Sequence, residues 1–193
     1  MTDESHGPAN GAWTLDQLLA AEQAGRRLKF LHFWGHTPPA SGVLGAHVFS
    51  QWYAHPFVSD GVSYATAEHF MMAAKARLFD DHERLKLIIA AATPAEAKKL
   101  GRQVRGFDSR AWDTWRVDIV TRGSVAKFAS DQGLRSYLVG TGDRVLVEAS
   151  PRDLIWGIGM DRDDPLAERP SQWRGHNLLG FALMQARAEL QGN

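Results

Sequence analysis

The segment Thr66-Ala67-Glu68-His69-Phe70-Met71-Met72-Ala73-Ala74-Lys75-Ala76 constrains this 193-residue chain more than any other. Thr66 is a good N-cap, and the run behind it predicts a helix over 67–79. Small or apolar residues surround nearly the whole helix, so most of it has to be buried. Glu68 and Lys75 stand on nearly the same face, separated by ~10 Å of axial rise. That spacing is too long for a direct ion pair along the helix. Each charge therefore needs a ligand, a partner from elsewhere, or an exit to water at the rim. A sugar-sized ligand can lie across both.

Their chemistry follows from their places. Glu68 falls in the first turn, where the helix dipole favours a carboxylate. It then serves as a base toward water, or as an electrostatic partner for positive charge developing on a sugar. Enough burial reverses this and makes it a general acid. A desolvated Lys75 can lose its proton and add to a sugar carbon as a Schiff base. Its alternative roles are an ion pair or a phosphate contact.

Further helices are expected over 16–27, 81–91, 109–128, 134–138 and 177–190, and from 94 to 101 or 104. Thr93-Pro94-Ala95-Glu96 is a capping box with proline at the first helical position. Ser109 is read as the cap of the long helix, with Trp112, Trp115, Ile119 and Val120 at helical spacing. Strands are expected over 29–34, 62–64 and 145–149, with an extended piece over 46–49 and a turn at Ser59-Asp60-Gly61. Residues 36–45 and most of 151–173 read as loop. Strands do not alternate with crossover helices, which argues against a doubly wound sheet. The expected fold is mainly α with a small β element (α+β). It forms a single compact domain over 13–193 behind a disordered tail over 1–12.

Charge and composition exclude several functions. The 22 basic and 22 acidic side chains balance, so no global field draws nucleic acid or an anionic membrane. Lys98, Lys99, Arg102 and Arg105 can still make a local basic patch. There is no cysteine, hence no disulfide, thiolate nucleophile or Cys-type zinc site. The eight histidines show no metal-ligand spacing, and no metal site or cofactor is expected. Walker, dinucleotide-binding, zincin and nucleophile-elbow motifs are missing. The polar start of the chain does not read as a signal peptide, and no apolar run approaches the ~20 residues of a membrane helix. The expectation is a cytoplasmic protein without membrane contact. Seven tryptophans suit core packing, or a pocket that stacks on a nucleobase.

A second cluster is Asp153-Leu154-Ile155-Trp156-Gly157-Ile158-Gly159. Its glycines permit close backbone approach to a ligand. Asp153 can hold ribose hydroxyls or orient Lys75, and Trp156 can stack on a base. Arg102 can contact phosphate or complement a helix C-terminus.

At these residues the chain resembles the NADAR family, also called YbiA-like. The resemblance covers about 30–190. In order it runs through Phe33-Trp34, Ser50-Gln51-Trp52, Pro56-Phe57, Asp60-Gly61 with Tyr64, and the 66–76 segment. It continues through Gly101-Arg102, Trp112, Lys127-Phe128, Leu146-Val147-Glu148-Ala149, Asp153 with Trp156-Gly157, and Gly175-His176-Asn177-Leu178-Leu179-Gly180. One departure is Gln51-Trp52, where many relatives carry Asn-Phe; it places substrate preference in question.

The resemblance implies a mainly helical N-glycosidase that needs no metal. It implies Glu68, Lys75 and Asp153 as the catalytic set, and Phe33, Trp34, Gln51, Trp52, Arg102, Trp156, Gly157 and Asn177 as substrate-binding residues. Some members are expected to hydrolyse phosphoribosylamino-pyrimidine intermediates of riboflavin synthesis, and others to remove ADP-ribose from guanine in nucleic acid. Neutral charge and small size favour the small nucleotide-like substrate over ADP-ribosylated nucleic acid. A binding module that senses a ribosylated nucleotide without turnover is the reading from another class, and it has no need of both Glu68 and Lys75. Oligomeric state is not legible.

Overall fold

The computed structural model describes residues 12–192, which leaves the expected tail outside the described residues except for Ala12, which is buried. Seven helices and four short strands are built from the described residues. In chain order they are α1 (Leu15–Gln23), β1 (Phe30–Phe33), β2 (Phe57–Ser59), β3 (Val62–Tyr64), α2 (Ala67–Leu78) and α3 (His82–Ile89). There follow α4 (Pro94–Gly101), α5 (Ser109–Ala129), α6 (Gln132–Val139), β4 (Val145–Glu148) and α7 (Leu178–Gly192). No helix among the described residues is long and apolar enough to cross a membrane.

The apolar segment behaves as its composition dictates. Eight of the twelve α2 residues are buried, from Ala67 through Ala73 and at Ala76. The helix packs against α3, α4 and α5. Its start is locked by a polar relay. Thr66 Oγ1 accepts from the His69 amide at 3.4 Å and meets His69 Nδ1 at 2.8 Å, while His69 Nε2 lies 3.1 Å from the Ala91 carbonyl. A carbonyl only accepts, so Nε2 carries the proton and the Thr66 hydroxyl donates to Nδ1. His69 is thereby a fully buried structural imidazole that ties α2 to the end of α3.

The β element is two separate pairs. β2 and β3 form an antiparallel hairpin across Asp60-Gly61, both with positive φ (50° and 74°), as a two-residue turn of this hand requires. β1 and β4 pair in parallel, Phe30 opposite Val145 and Phe33 opposite Glu148. Parallel pairing demands a long crossover, and here residues 34–144 supply it. The expectation of one β element thus becomes one parallel pair plus one hairpin.

Three local readings differ from expectation. Residues Ala46–Phe49 form a 3-10 turn, with Val48 and Phe49 both buried. Asp108, not Ser109, caps α5, its Oδ1 accepting from the Ala111 amide at 2.7 Å. The helix expected over 16–27 stops at Gln23, just before Gly25 at φ 66°.

α7 crosses β4 at its N-terminal end, where Gly180 permits contact. A Cβ at this position would collide with the Leu146 carbonyl oxygen and the Asn177 amide. Gly180→Ala is expected to lower stability by about 2 kcal/mol through overpacking. For a chain of this size that is a fall of roughly 4–8 °C in Tm by calorimetry, and an unchanged Tm would refute the close approach.

Candidate active site

Two walls from distant parts of the sequence enclose a cavity of about 270 Å³. One wall is α2 with the segment Ser50-Gln51-Trp52, which bring Glu68, Met71, Met72 and Lys75 to the cavity. The other is the end of β4 with the following loop, which bring Glu148, Asp153, Ile155 and Trp156. Lys98 enters from α4, Arg102 from the cap just after it, and Trp112 from α5. A larger cleft of about 750 Å³, lined by Trp13, Val117, His176 and Phe181 among others, has no comparable group of buried acids.

The first wall is set by a buried lysine. Lys127 Nζ donates to the carbonyls of Val48 (2.6 Å) and Ser50 (3.0 Å) from inside the core. Desolvation pushes its pKa down to about 7. The segment so held continues into Gln51, whose carbonyl accepts from the Glu68 amide at 2.9 Å. Trp52 Nε1 then donates to Glu68 Oε2 at 3.2 Å.

Glu68 Oε1 is shut off from solvent and has no hydrogen-bond partner among the described residues. Burial dominates the carboxyl and raises its pKa to about 7, with Asp153 adding to the rise. Lys98, the Trp52 hydrogen bond and Arg102 oppose it. Burial thus outweighs the dipole argument for a permanently ionised Glu68. Lys75 Nζ sits over the Phe107 ring at 4.0 Å and the Trp112 ring at 5.5 Å. It forms no ion pair among the described residues, and desolvation lowers its pKa. A half-desolvated amine in an aromatic cradle is suited to nucleophilic use.

On the second wall, Glu148 Oε2 is also closed off and has no partner among the described residues. Burial, then the charges of Asp153 and Glu68, push this carboxyl up to about 8, while Lys98 opposes them. Asp153 Oδ1 accepts from the Ile155 and Trp156 amides at 2.9 and 2.8 Å, and so shapes the loop that presents Trp156.

The cavity gathers Glu68, Lys75, Asp153, Gln51, Trp52, Arg102 and Trp156. It does not gather the other expected residues. Phe33 is buried against Phe49, their rings 5.4 Å apart. Trp34 follows β1 and is 63% exposed, away from the cavity lining. Gly157 packs on the Glu148 carbonyl, and Asn177 bridges Leu146 and Glu148, so both stand behind the wall. Glu148 and Lys98 were not singled out for the site. The signal for Glu148 was a lone acid ending an apolar strand; for Lys98 it was a place one helical turn before Arg102.

A cavity holding two desolvated carboxyls and an unpaired lysine has the equipment of a glycosidic-bond hydrolase. The chain belongs to the NADAR family, whose NADAR domain profile matches residues 32–191. It is 39% identical to N-glycosidase R617 of Acanthamoeba polyphaga mimivirus over 168 residues, 84% of this chain and 97% of the relative. It is 33% identical over 140 residues to the chloroplastic riboflavin biosynthesis protein PYRR of Zea mays, covering 69% of this chain and 21% of that protein. Among solved structures, the NMR structure of the Escherichia coli protein YbiA superposes with a TM-score of 0.66 at 26% identity, covering 84% of this chain and 85% of that one.

The raised acids make stability depend on pH. Glu68 binds its proton more tightly folded (about 7) than at its ordinary value of 4.5. Its stabilisation is therefore complete below pH 4.5 and is lost as pH rises through 7. The unfolding free energy of wild type relative to Glu68→Gln should fall by about 2 kcal/mol between pH 5 and pH 7, read by urea denaturation. A difference that does not change with pH would show a carboxyl of ordinary acidity.

Proposed function

We propose that this chain hydrolyses the ribose C1′–N bond of a phosphoribosylamino-pyrimidine or a related nucleotide. The observation that carries this reading is the meeting of Glu68, Glu148 and Lys75 in one small cavity beside Lys98 and Arg102. The acids supply proton transfer at the bond, Lys98 and Arg102 suit a phosphate, and Trp52, Trp112 and Trp156 offer faces for a base. The names of the relatives point the same way: an N-glycosidase, and a protein of riboflavin biosynthesis. Volume favours the smaller substrate. A ribose phosphate bearing one ring suits about 270 Å³, whereas an ADP-ribosylated guanine has to run out through the mouth.

In this reading Glu68 assists departure of the base from C1′. Lys75 either captures the opened sugar as an imine or steadies its positive charge.

Incubation of the protein with a phosphoribosylamino-pyrimidine and with ADP-ribosylated guanosine, followed by mass spectrometry, tests the proposal. Release of the pyrimidine is expected; release of guanosine and ADP-ribose alone would move the activity to reversal of ADP-ribosylation. Binding of either compound without cleavage would leave a sensor in place of an enzyme. Glu68→Gln should lower kcat by about 100-fold or more while binding persists, and near-normal turnover would remove its role. Borohydride added during turnover should link the sugar to Lys75 if the imine forms; no adduct would leave Lys75 as a charge partner only.

A further inference from the structure

The backbone of Glu148 is held on both sides, yet its carboxyl Oε2 has no partner among the described residues. Its amide donates to Asn177 Oδ1 at 3.0 Å, and its carbonyl accepts from the Ile158 amide at 2.9 Å. Gly157 presses on the same carbonyl so closely that a Cβ there would come within 2.8 Å. Asn177 is fixed in turn by donating to the Leu146 carbonyl at 3.0 Å, with its own backbone at φ 51°. Two segments thus clamp one backbone position, and the side chain that lines the cavity ends in an Oε2 with no partner among the described residues.

The two carboxyls differ in what they meet. Burial and Asp153 oppose the charged form of Glu68, while Lys98, the Trp52 indole proton and Arg102 favour it. Glu148 has Lys98 in its favour, and Asp153, Glu68 and its own burial against it. With no hydrogen-bond donor on Oε2 and one cation fewer beside it, Glu148 is the better placed of the two to keep a shared proton.

Given the glycosidase reading above, we propose that Glu148 is the proton donor of the reaction, passing its carboxyl proton to the leaving base nitrogen while Glu68 acts as the carboxylate. The C1′–N bonding pair goes to nitrogen, which takes the Glu148 proton. Water bonds to C1′ through oxygen and loses its proton to Glu68. Transfer of that proton through solvent returns Glu148 to its starting form, so the sum is bond plus water to free base plus sugar hydroxyl. Capture of C1′ by Lys75 leaves the same demand for a proton on nitrogen.

Two measurements test this. In wild type with carbon-13 glutamate carboxyls, the signal missing from Glu148→Gln should titrate well above the ordinary 4.5. Titration near 4.5 overturns the proposal. With the phosphoribosylamino-pyrimidine and ADP-ribosylated guanosine as probes, Glu148→Gln should lose about 100-fold or more in kcat, keep KM within about threefold, and lose the alkaline limb of the pH profile. Glu148→Asp, which keeps the acid group, should retain an alkaline limb, so a folding defect in Glu148→Gln does not decide the matter. A kcat for Glu148→Gln within about threefold of wild type, or an unchanged alkaline limb, overturns the proposal. If wild type cleaves neither probe, the proposed function fails, while the titration still reads whether Glu148 holds a proton.

Discussion

The desolvation of Glu68 is the constraint on which the rest of the site depends. A carboxyl in the first turn of a helix with almost no solvent face cannot be hydrated, so the protein has to supply its surroundings. It does so through one connected set of polar contacts. Lys127 anchors the carbonyls of Val48 and Ser50, Gln51 accepts from the Glu68 amide, and Trp52 reaches the carboxyl. In a low-dielectric interior each of these bonds is worth more than at the surface, and a missing partner costs correspondingly more. A buried lysine some distance along α5 thereby positions an acid on α2.

The opposite wall depends on backbone packing. β1 and β4 are parallel, so their C-terminal ends fall side by side, at Phe33 and Glu148. Strand ends of this kind are where open parallel sheets place ligands, and the two-stranded remnant here keeps that property. Gly180 and Gly157 let α7 and the loop after β4 approach the strand without side chains between them. The result is an acid whose main chain is immobilised and whose side chain is free to meet a ligand.

How much of this was legible follows from the range of each signal. The buried α2 helix, its Thr66 cap and the placing of Glu68 and Lys75 on one face are local properties, and they read correctly from composition and period. The mainly helical class with a small β element was equally legible, because helical spacing persisted over long windows. The 3-10 turn at Ala46–Phe49 was not, since four residues carry too little pattern to separate it from a strand. Phe33 and Trp34 are adjacent and aromatic, so sequence gave no reason to split them, yet strand geometry sends one into the core and leaves the other at 63% exposure. Asn177 and Gly157 act on Glu148 from about thirty and nine positions away, and no local pattern announces a contact across such a distance. Lys127 lies in a long helix of mixed charge, where a buried lysine and a solvated one look alike.

The electrostatics of the cavity follow from these placements. Glu68, Glu148 and Asp153 face Lys75, Lys98 and Arg102, so the formal charges balance only when every acid is ionised. Burial opposes that state for Glu68 and Glu148 near neutral pH, Asp153 raises both, and Glu68 adds to the rise of Glu148. With one proton retained by the pair, the cavity is net positive without any excess of basic residues in the chain. An anionic ligand is then attracted by the cations and, once bound, adds a further negative charge beside the two acids. That charge holds the retained proton more tightly. Ligand binding and proton retention therefore reinforce one another, and the acid needed to protonate a leaving group is most secure when the substrate is in place.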